Sequence, residues 1–264
     1  MIHACDLCGQ TVATEVEPGI VVCSGCGFVY VPERRPSQEI AAAWTEVYNS
    51  GAYDPNWPGV KARLYYVAEW LDQKIGLEGK TVLDIGAGRG FFLEQVKARD
   101  GHPVGLEPDP DNANLIRSKD IACFTGAIED FPGVGQYDLV TILWTLENCG
   151  DCLAMLRFAR DALAPGGHVV VATGSRIMVP FKKLYSAYFG KLAPDLHCFR
   201  WSQKTLGAAM IQAGLFKELK NDYWQNDVLL RTASRREVGD GGIKFADDAQ
   251  DVIDFFRSWK EIFP

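Results

Sequence analysis

The sequence predicts an α/β protein built on a parallel sheet, with a small four-cysteine unit in front of it. Three observations lead to this prediction. From about residue 80 onward, short apolar runs alternate with segments of helical apolar spacing, a pattern typical of parallel strands joined by helices. A glycine-rich turn follows the first run, and two Cys-x-x-Cys pairs lie within the first 32 residues. The 264 residues, 47% of them hydrophobic, suffice for one such domain and an appendage.

Residues 1–32 form the predicted four-cysteine unit. Its two pairs, Cys5 with Cys8 and Cys23 with Cys26, are separated by 14 residues, and a glycine follows each pair. Four thiolates in this pattern close a tetrahedral Zn²⁺ site with no open position, which is the structural kind of zinc site. So short a unit cannot fold on hydrophobic burial alone, and metal binding would supply its stability. The alternative is four ordinary reduced cysteines.

Residues 33–78 are predicted to form a helical connector. Ser37 is an N-cap for a first helix, and a second helix is predicted over 60–75, directly before the first strand of the sheet. The loop between them, 49–58, is rich in turn residues and aromatic side chains. These aromatic side chains either join the core or form a lid over the ligand pocket of the following domain.

The glycine-rich turn joins a strand at 82–85 to a helix that begins near Phe91. Glycine tolerates the positive φ of a tight turn and lets the backbone lie against a ligand. The free N–H groups at the start of the helix then attract the negative part of that ligand. In the dinucleotide fingerprint G-x-G-x-x-G a third glycine packs helix against strand. Phe91 occupies that place here, so the match to a dinucleotide site is poor.

The pattern D-x-G-x-G-x-G of this turn resembles motif I of the class I S-adenosylmethionine-dependent methyltransferases. The resemblance implies that the turn lies against the methionyl part of S-adenosylmethionine. The cofactor-binding residues that it assigns in the turn are Asp84, Gly86, Ala87, Gly88 and Gly90. A glycine-rich turn that closes a strand and binds nothing is the alternative.

A second strand, predicted over 102–107, ends in Glu107. Glu107 follows the glycine turn by about 20 residues, the separation at which a carboxylate accepts hydrogen bonds from both ribose hydroxyls. Glu107 and the adjacent Pro108 are therefore predicted to bind the cofactor. The alternative for Glu107 is an exposed surface charge.

Later motifs follow in the order expected of the same family. Ile128 and Glu129 occupy the loop that in these methyltransferases holds the adenine, or else a plain exposed loop. The fourth strand resembles motif IV and ends at Trp144, which we add to the cofactor-binding residues. Many relatives carry Glu-His where this chain has Glu147 and Asn148, so any role of that histidine does not transfer. A Leu-Ala-Pro-Gly-Gly turn before the fifth strand is a further resemblance.

Residues 174–200 are predicted to be an insertion on the substrate side. A basic, aromatic stretch at 182–191 suits the phosphates of a sugar nucleotide, and His197 is the predicted catalytic residue. With an ordinary pKa near ~6.5, a histidine can take the proton of a hydroxyl as the methyl group arrives. A loop histidine bonded to backbone is the alternative. A last sheet strand is predicted at 226–232, and residues 236–264 contain an amphipathic C-terminal helix.

The methyltransferase resemblance covers residues 79–235. It implies a Rossmann-like, seven-stranded, mostly parallel sheet with one reversed strand, and in-line attack of a substrate nucleophile on the sulfonium methyl group. The four-cysteine fusion resembles methyltransferases of sugar and polysaccharide pathways, which favours a carbohydrate or nucleotide-sugar hydroxyl as acceptor. The alternatives are a sugar carbon, a base of ribosomal RNA, and a non-catalytic zinc scaffold. An NAD-dependent reductase is disfavoured by Phe91.

Charge and composition limit the classes of partner that the protein is expected to bind. The net charge of -7 and the pI near 5.2 disfavour nucleic acid. The N-terminus lacks a signal-peptide pattern, and no apolar run approaches the ~20 residues that span a bilayer. We therefore expect a cytoplasmic protein without membrane contact, where paired cysteines indicate metal rather than disulfides. The expected partner is a small-molecule substrate, and the oligomeric state stays open.

Overall fold

The computed structural model describes residues 3–50, 56, 58–133, 135–174, 197–220, 228–235 and 246–262. Within these ranges the chain forms two sheets and the helices that pack on them. The strands are β1 Ala13–Glu17, β2 Ile20–Cys23, β3 Val29–Tyr30, β4 Thr81–Ile85, β5 His102–Glu107, β6 Ala122–Thr125, β7 Tyr137–Leu143, β8 Leu163–Gly174, β9 Phe199–Arg200, β10 Phe216–Lys220 and β11 Val228–Ser234. The helices are α1 Ser37–Ser50, α2 Pro58–Ile75, α3 Phe91–Lys97, α4 Pro110–Arg117, α5 Cys152–Ala162, α6 Gln203–Gln212 and α7 Ala249–Ile262.

The larger sheet has seven strands in the order β10-β11-β8-β7-β4-β5-β6. The pairs among β4 to β8 are parallel, whereas β11 runs antiparallel to both of its neighbours, β8 and β10. The strand order reverses direction at β4, and the crevice at the carboxyl ends of the strands beside such a point is where α/β sheets bind ligands. The predicted α/β fold with a mostly parallel sheet and one reversed strand is confirmed.

Apolar side chains of the central strands alternate between two helical layers. Val82 packs in a cluster with α2 and α3, whereas the next residue, Leu83, packs in the cluster that contains α5. Leu139 and Val140 of β7 divide between the same two clusters. Because both faces of the sheet are covered, its strands read as continuous apolar runs, as parallel strands do.

The smaller sheet is antiparallel and has the order β1-β2-β3-β9. Its first three strands belong to the four-cysteine unit, but its fourth comes from much later in the chain. Val29 pairs with Arg200, and Tyr30 pairs with Phe199. Helix α7 lies against the same sheet, with Phe256 buried in a cluster with strand residues of β1 and β2.

One hydrophobic core runs through the four-cysteine unit and the seven-stranded domain. The ring centroid of Phe28 lies 5.8 Å from that of Phe199 and 4.9 Å from that of Trp201. These rings belong to one buried cluster that also contains Cys26 and, on α5, Leu156. The two parts of the chain are therefore packed together and not joined by the connector alone.

Three strands were not predicted from the residue pattern. Strands β3 and β9 have two residues each, too few for any periodicity. Strand β10 has the sequence Phe-Lys-Glu-Leu-Lys, whose charges obscure a strand pattern but suit its place at the edge of the sheet.

Some predictions fall outside the described residues. They are most of the proposed lid at 49–58, residues 175–196 of the substrate-side insertion with its basic stretch, and residues 236–245. None of the helices in the described part of the chain has the length and apolar character needed to cross a lipid bilayer.

Candidate active site

The glycine turn lies at the carboxyl end of β4 and is held on two sides. Gly86 and Ala87 both donate their N–H groups to the carbonyl of Leu106 on β5, at 2.8 and 3.3 Å. A Cβ atom on Gly86, whose φ is 72°, would lie 2.5 Å from the side chain of Thr145. At Gly88, where φ is 54°, no atom of the described residues other than its chain neighbours lies within 4 Å of such a Cβ. The turn is thus closed at Gly86 and open at Gly88, where a ligand could approach the backbone.

Asp84 lies beneath this turn, in β4, and is only 2% exposed. Its Oδ1 accepts a hydrogen bond from the hydroxyl of Thr141 on β7, at 2.6 Å. Burial raises the pKa of Asp84 to about 7, against the effect of the Thr141 bond, and the charge of Glu107 adds to the rise. Asp84 therefore fixes the base of the turn, and its direct contact with a ligand stays a prediction.

Glu107 stands at the carboxyl end of β5, next to the turn, and is 5% exposed. Its carboxylate accepts hydrogen bonds from the N–H groups of Gly88, at 2.7 Å, and Asp109, at 3.0 Å. Burial raises the pKa of Glu107 to about 7, although these two hydrogen bonds favour the charged form. The adjacent Pro108 is exposed. The carboxylate predicted to hold the ribose thus lies against Gly88, the open glycine of the turn.

The remaining predicted cofactor residues follow β6 and β7 at the same edge of the sheet. Ile128 and Glu129 form a single 3₁₀ turn, with Ile128 packed on the core and Glu129 exposed. Trp144 adopts a φ of 54°, unusual for a bulky residue. Its N–H donates to the carbonyl of Ala172 at 2.6 Å. Backbone held in such a conformation is concentrated at functional sites.

Two contacts at this edge were missed by the sequence analysis. The guanidinium carbon of Arg63, on α2, lies 4.2 Å from the centroid of the Trp144 ring, a cation–π contact. The hydroxyl of Thr145 lies 3.4 Å from the carbonyl oxygen of Gly86, to which it donates. The helix around Arg63 was predicted, but no pattern distinguishes Arg63 from the other basic residues of that helix.

Helix α1 connects the Glu107 side of the site with His197. The hydroxyl of Thr45 donates to Oδ2 of Asp109 at 2.6 Å, and Asp109 also caps α4. The ring of Trp44, the preceding residue, meets the ring of His197 edge-on, with centroids 6.4 Å apart. His197 is half-buried at this contact.

Glu147, in the motif IV position, is buried between the carboxyl ends of β7 and β8. It is 4% exposed, and its carboxylate accepts a hydrogen bond from the hydroxyl of Thr173 on β8, at 2.7 Å. Its backbone carbonyl accepts the N–H of Cys198 at 2.8 Å. Glu147 thereby joins the end of β7 to the end of β8 and to the residue after His197.

The four predicted metal ligands come together. The sulfur atoms of Cys5, Cys8, Cys23 and Cys26 all lie within 4.8 Å of one another, the one such group found among the described residues. The Cys5–Cys26 and Cys8–Cys23 sulfur distances are 3.6 and 3.3 Å. A tetrahedral zinc ion with Zn–S bonds of ~2.3 Å places its sulfurs ~3.8 Å apart. The geometry therefore fits zinc.

The thiols in this group perturb one another. A hydrogen bond with Cys26 lowers the pKa of Cys5 to about 6, and the same bond raises the pKa of Cys26. Burial raises the pKa of Cys8 to about 11. Thiols so close together cannot all ionise without a cation among them, so the group is suited to a metal.

Comparison with known proteins assigns the fold to a family. Residues 61–217, more than half of the chain, match a family model described as "Methyltransferase domain". A ubiquinone biosynthesis O-methyltransferase of Vibrio parahaemolyticus is 31% identical over 152 residues, 54% of this chain and 63% of the relative. One of the same name from Pseudomonas aeruginosa is 31% identical over 161 residues, 55% of this chain and 68% of the relative. The chain spans 63%, 50% and 49% of the length of the first three such relatives.

Solved structures of low sequence identity share the fold. A protein of Pyrococcus horikoshii matches with a TM-score of 0.59 at 15% identity, covering 73% of this chain and 98% of that one. The magnesium protoporphyrin IX methyltransferase of Synechocystis, solved with bound SAH, matches with a TM-score of 0.55 at 16% identity, covering 74% and 94%. With the family match, the chain therefore belongs to the methyltransferase domain family, and residues 61–217 are a class I S-adenosylmethionine-dependent methyltransferase domain.

Proposed function

We propose that the carboxyl edge around the glycine turn binds S-adenosylmethionine and that the chain transfers its methyl group to a hydroxyl of a small molecule. The observation that carries this proposal is the hydrogen bond between the buried Glu107 carboxylate and the Gly88 N–H. It brings together the two groups that the family resemblance assigns to the cofactor, the backbone of the turn and the ribose-binding carboxylate.

The remaining residues at this edge of the sheet are assigned roles in cofactor binding from their positions relative to Glu107 and Gly88. The backbone from Gly86 to Gly90 would lie against the methionyl part, and Ile128 and Glu129 would flank the adenine. Arg63 is a further candidate, because guanidinium groups bind carboxylates and the methionyl part of the cofactor carries one.

His197 is the proposed general base for the acceptor hydroxyl. Its contact with Trp44 on α1, whose neighbour Thr45 bonds Asp109, supports a position near the cofactor edge. The sulfonium of S-adenosylmethionine already activates the methyl carbon, so the protein needs to orient the acceptor and remove one proton. The acceptor oxygen attacks the methyl carbon, the carbon–sulfur bond breaks, and the proton passes to His197.

Two classes of acceptor hydroxyl are proposed. The relatives named as ubiquinone biosynthesis O-methyltransferases favour a phenolic hydroxyl. The resemblance of the four-cysteine fusion to sugar-pathway enzymes favours a hydroxyl of a carbohydrate or nucleotide sugar, but these relatives do not support that pathway. A phenol, with a pKa near that of tyrosine at ~10, depends less on a general base than an aliphatic hydroxyl does.

We also propose that Cys5, Cys8, Cys23 and Cys26 bind one structural zinc ion. The distances among their sulfur atoms support this proposal. All four positions of a tetrahedral ion would be filled by protein, so the zinc ion would stabilise the fold without touching substrate.

The test is an assay of methyl transfer from S-adenosylmethionine to a panel of catechols and nucleotide sugars. The rate is measured as the amount of S-adenosylhomocysteine formed. We expect turnover with one class, and a loss of at least tenfold, ~1.4 kcal/mol, in the His197→Asn variant. His102→Asn is the matched control, because His102 is exposed at the start of β5, away from the carboxyl ends. Methylation of ribosomal RNA with no turnover of any small hydroxyl compound would contradict the proposal.

A further inference from the structure

Residues 197–201, here called the return segment, contain β9 and lie directly before the N-cap of α6. The N–H of Val31, just after β3, donates to the carbonyl of Cys198 at 2.9 Å. On the other side, the N–H of Cys198 donates to the carbonyl of Glu147 at 2.8 Å. The return segment is therefore held between the four-cysteine unit and the turn that follows β7.

The buried side chain of Arg34 strengthens the attachment of the return segment to the four-cysteine unit. Its side chain is 7% exposed, and its Nη2 lies 2.6 Å from Oδ2 of Asp6, between the first two cysteines. Its Nε donates to the carbonyl of Val31 at 2.6 Å, and its Nη1 to that of Gly150 at 3.2 Å. The guanidinium carbon also lies 4.1 Å from the ring centroid of Phe199. One buried side chain thus contacts the first cysteine pair, the end of β3, the turn before α5 and the return segment.

The second cysteine pair reaches the return segment through aromatic rings. Phe28, two residues after Cys26, packs against Phe199 and Trp201, and all three rings are fully buried. Strand β3, which follows Phe28, then pairs with β9 inside the return segment. A displacement of either cysteine pair would therefore reach the residues beside His197.

The glycine turn and Glu107, which form the proposed cofactor side of the site, are held by other parts of the fold. In the described part of the chain, the hydrogen bonds of the glycine turn and of the Glu107 side chain go to one another, to β5, to α3, to Asp109, to Lys119 and to Thr145. None of them reaches the four-cysteine unit within those residues. Apart from α1, which contacts both Asp109 and His197, the two sides of the candidate site are therefore supported by different parts of the fold.

We propose that the four-cysteine unit is the support of the acceptor side of the active site, and that Arg34 is the positioning residue that transmits this support to His197. This inference rests on the proposed function, because it takes the return segment to face the acceptor. Metal loading and Arg34 then set the position of His197 without setting the affinity for the cofactor.

The test combines two measurements on the full chain loaded with zinc. Hydrogen exchange with mass spectrometry follows a peptide that contains residues 197–201, and calorimetric titration follows S-adenosylhomocysteine. For Arg34→Ala we expect exchange of that peptide to accelerate at least tenfold, while the dissociation constant changes less than twofold. Arg34→Lys should rescue exchange in part, because it keeps a charge for Asp6 but lacks the fork that serves several acceptors.

Arg99→Ala is the matched control. Arg99 also pairs with a carboxylate, Glu69, and donates to a backbone carbonyl, but it joins α2 to the chain just after α3. It should leave the return segment unchanged. Unchanged exchange of the return segment in Arg34→Ala would overturn the proposal, as would a loss of cofactor affinity as large as the change in exchange.

A second measurement applies if Arg34→Ala does not fold. Removal of zinc from the wild-type chain by a chelator should accelerate exchange at 197–201 and leave a peptide covering 86–90 protected. Equal acceleration of both peptides, or a wild-type chain that contains no zinc, would overturn the role given to the unit. Failure of the proposed function is distinguishable, because the wild-type chain would then not bind S-adenosylhomocysteine at all.

Discussion

Glu107 is buried beside the glycine turn, where its carboxylate is proposed to bind the ribose of the cofactor. Its protonation should therefore control the affinity for the cofactor. Its pKa is raised to about 7, and the ionised carboxylate is the form that accepts two ribose hydrogen bonds. We predict that affinity for S-adenosylhomocysteine rises between pH 6 and pH 8, by up to about tenfold per unit below pH 7. Calorimetric titration across this range measures the effect.

The Glu107→Gln variant is the control for this pH dependence. Glutamine keeps the size of the side chain but does not titrate, so its weaker binding should be nearly constant with pH. A wild-type profile that is equally flat would show that Glu107 is not the group that binds the ribose.

Asp84 should make stability depend on pH in the opposite sense to an ordinary ion-paired carboxylate. Its pKa is raised to about 7 in the folded chain, above the value of ~3.9 for an unfolded aspartate. The stability that it contributes is therefore fully present below pH ~3.9 and is lost as pH rises from there to about 7, by up to ~1.4 kcal/mol per unit.

The Asp84→Asn variant tests this prediction. Asparagine keeps an oxygen for the Thr141 hydroxyl and cannot ionise, so its stability relative to wild type should increase between pH 5.5 and pH 8 in urea unfolding. The comparison cancels the pH dependence of the four thiols, which both proteins share. A constant difference between the two proteins would contradict the account.

At the scale of elements, the glycine turn depends on its contact with the loop after β7. Gly86 and Gly79 both have positive φ, 72° and 69°, but only Gly86 has a neighbour, Thr145, within 4 Å of an added Cβ. A left-handed conformation alone costs an alanine roughly 1–2 kcal/mol. We predict that Gly86→Ala loses more stability than Gly79→Ala and also weakens S-adenosylhomocysteine binding at least tenfold. Equal losses in thermal unfolding and unchanged binding in both variants would show that the turn is not part of the pocket.

The strands β4, β5 and β7 and the places of the candidate cofactor residues at their carboxyl ends could be predicted, because each has a local cause. The buried run of β4, the glycines after it and the carboxylate at the end of β5 are visible in a short stretch of sequence. The role of Arg34, the positive φ of Trp144 and the pairing of β9 with β3 could not. They depend on contacts between distant parts of the chain, which no local pattern contains.

Contacts between distant parts of the chain also explain what could not be predicted about the four-cysteine unit. The two Cys-x-x-Cys pairs of residues 1–32 predicted which four thiols come together, because both pairs lie within one short stretch of sequence. They did not predict that a strand from residues 199–200 completes the sheet of this unit. The unit limits at 1–32, 33–78, 79–235 and 236–264 stay predictions.

For the whole molecule, the shared core predicts that the four-cysteine unit and the methyltransferase domain unfold together. Phe28, Phe199 and Trp201 lie in the same buried cluster as α5 and the central strands, so urea cannot unfold the zinc-loaded unit without exposing the core of the domain. We predict that zinc release, followed with a colorimetric chelator, coincides with loss of helical circular dichroism in urea. Zinc release at a clearly lower urea concentration would show that the unit is independent.

The most direct test of the central claim is a calorimetric titration of the purified chain with S-adenosylhomocysteine, alongside Glu107→Ala and an exposed control, Glu69→Ala. We expect micromolar binding by the wild-type chain and the control, and a loss of tenfold or more, ~1.4 kcal/mol, in Glu107→Ala. No binding by the wild-type chain, or equal binding by all three proteins, would contradict a cofactor site at the carboxyl edge of the sheet.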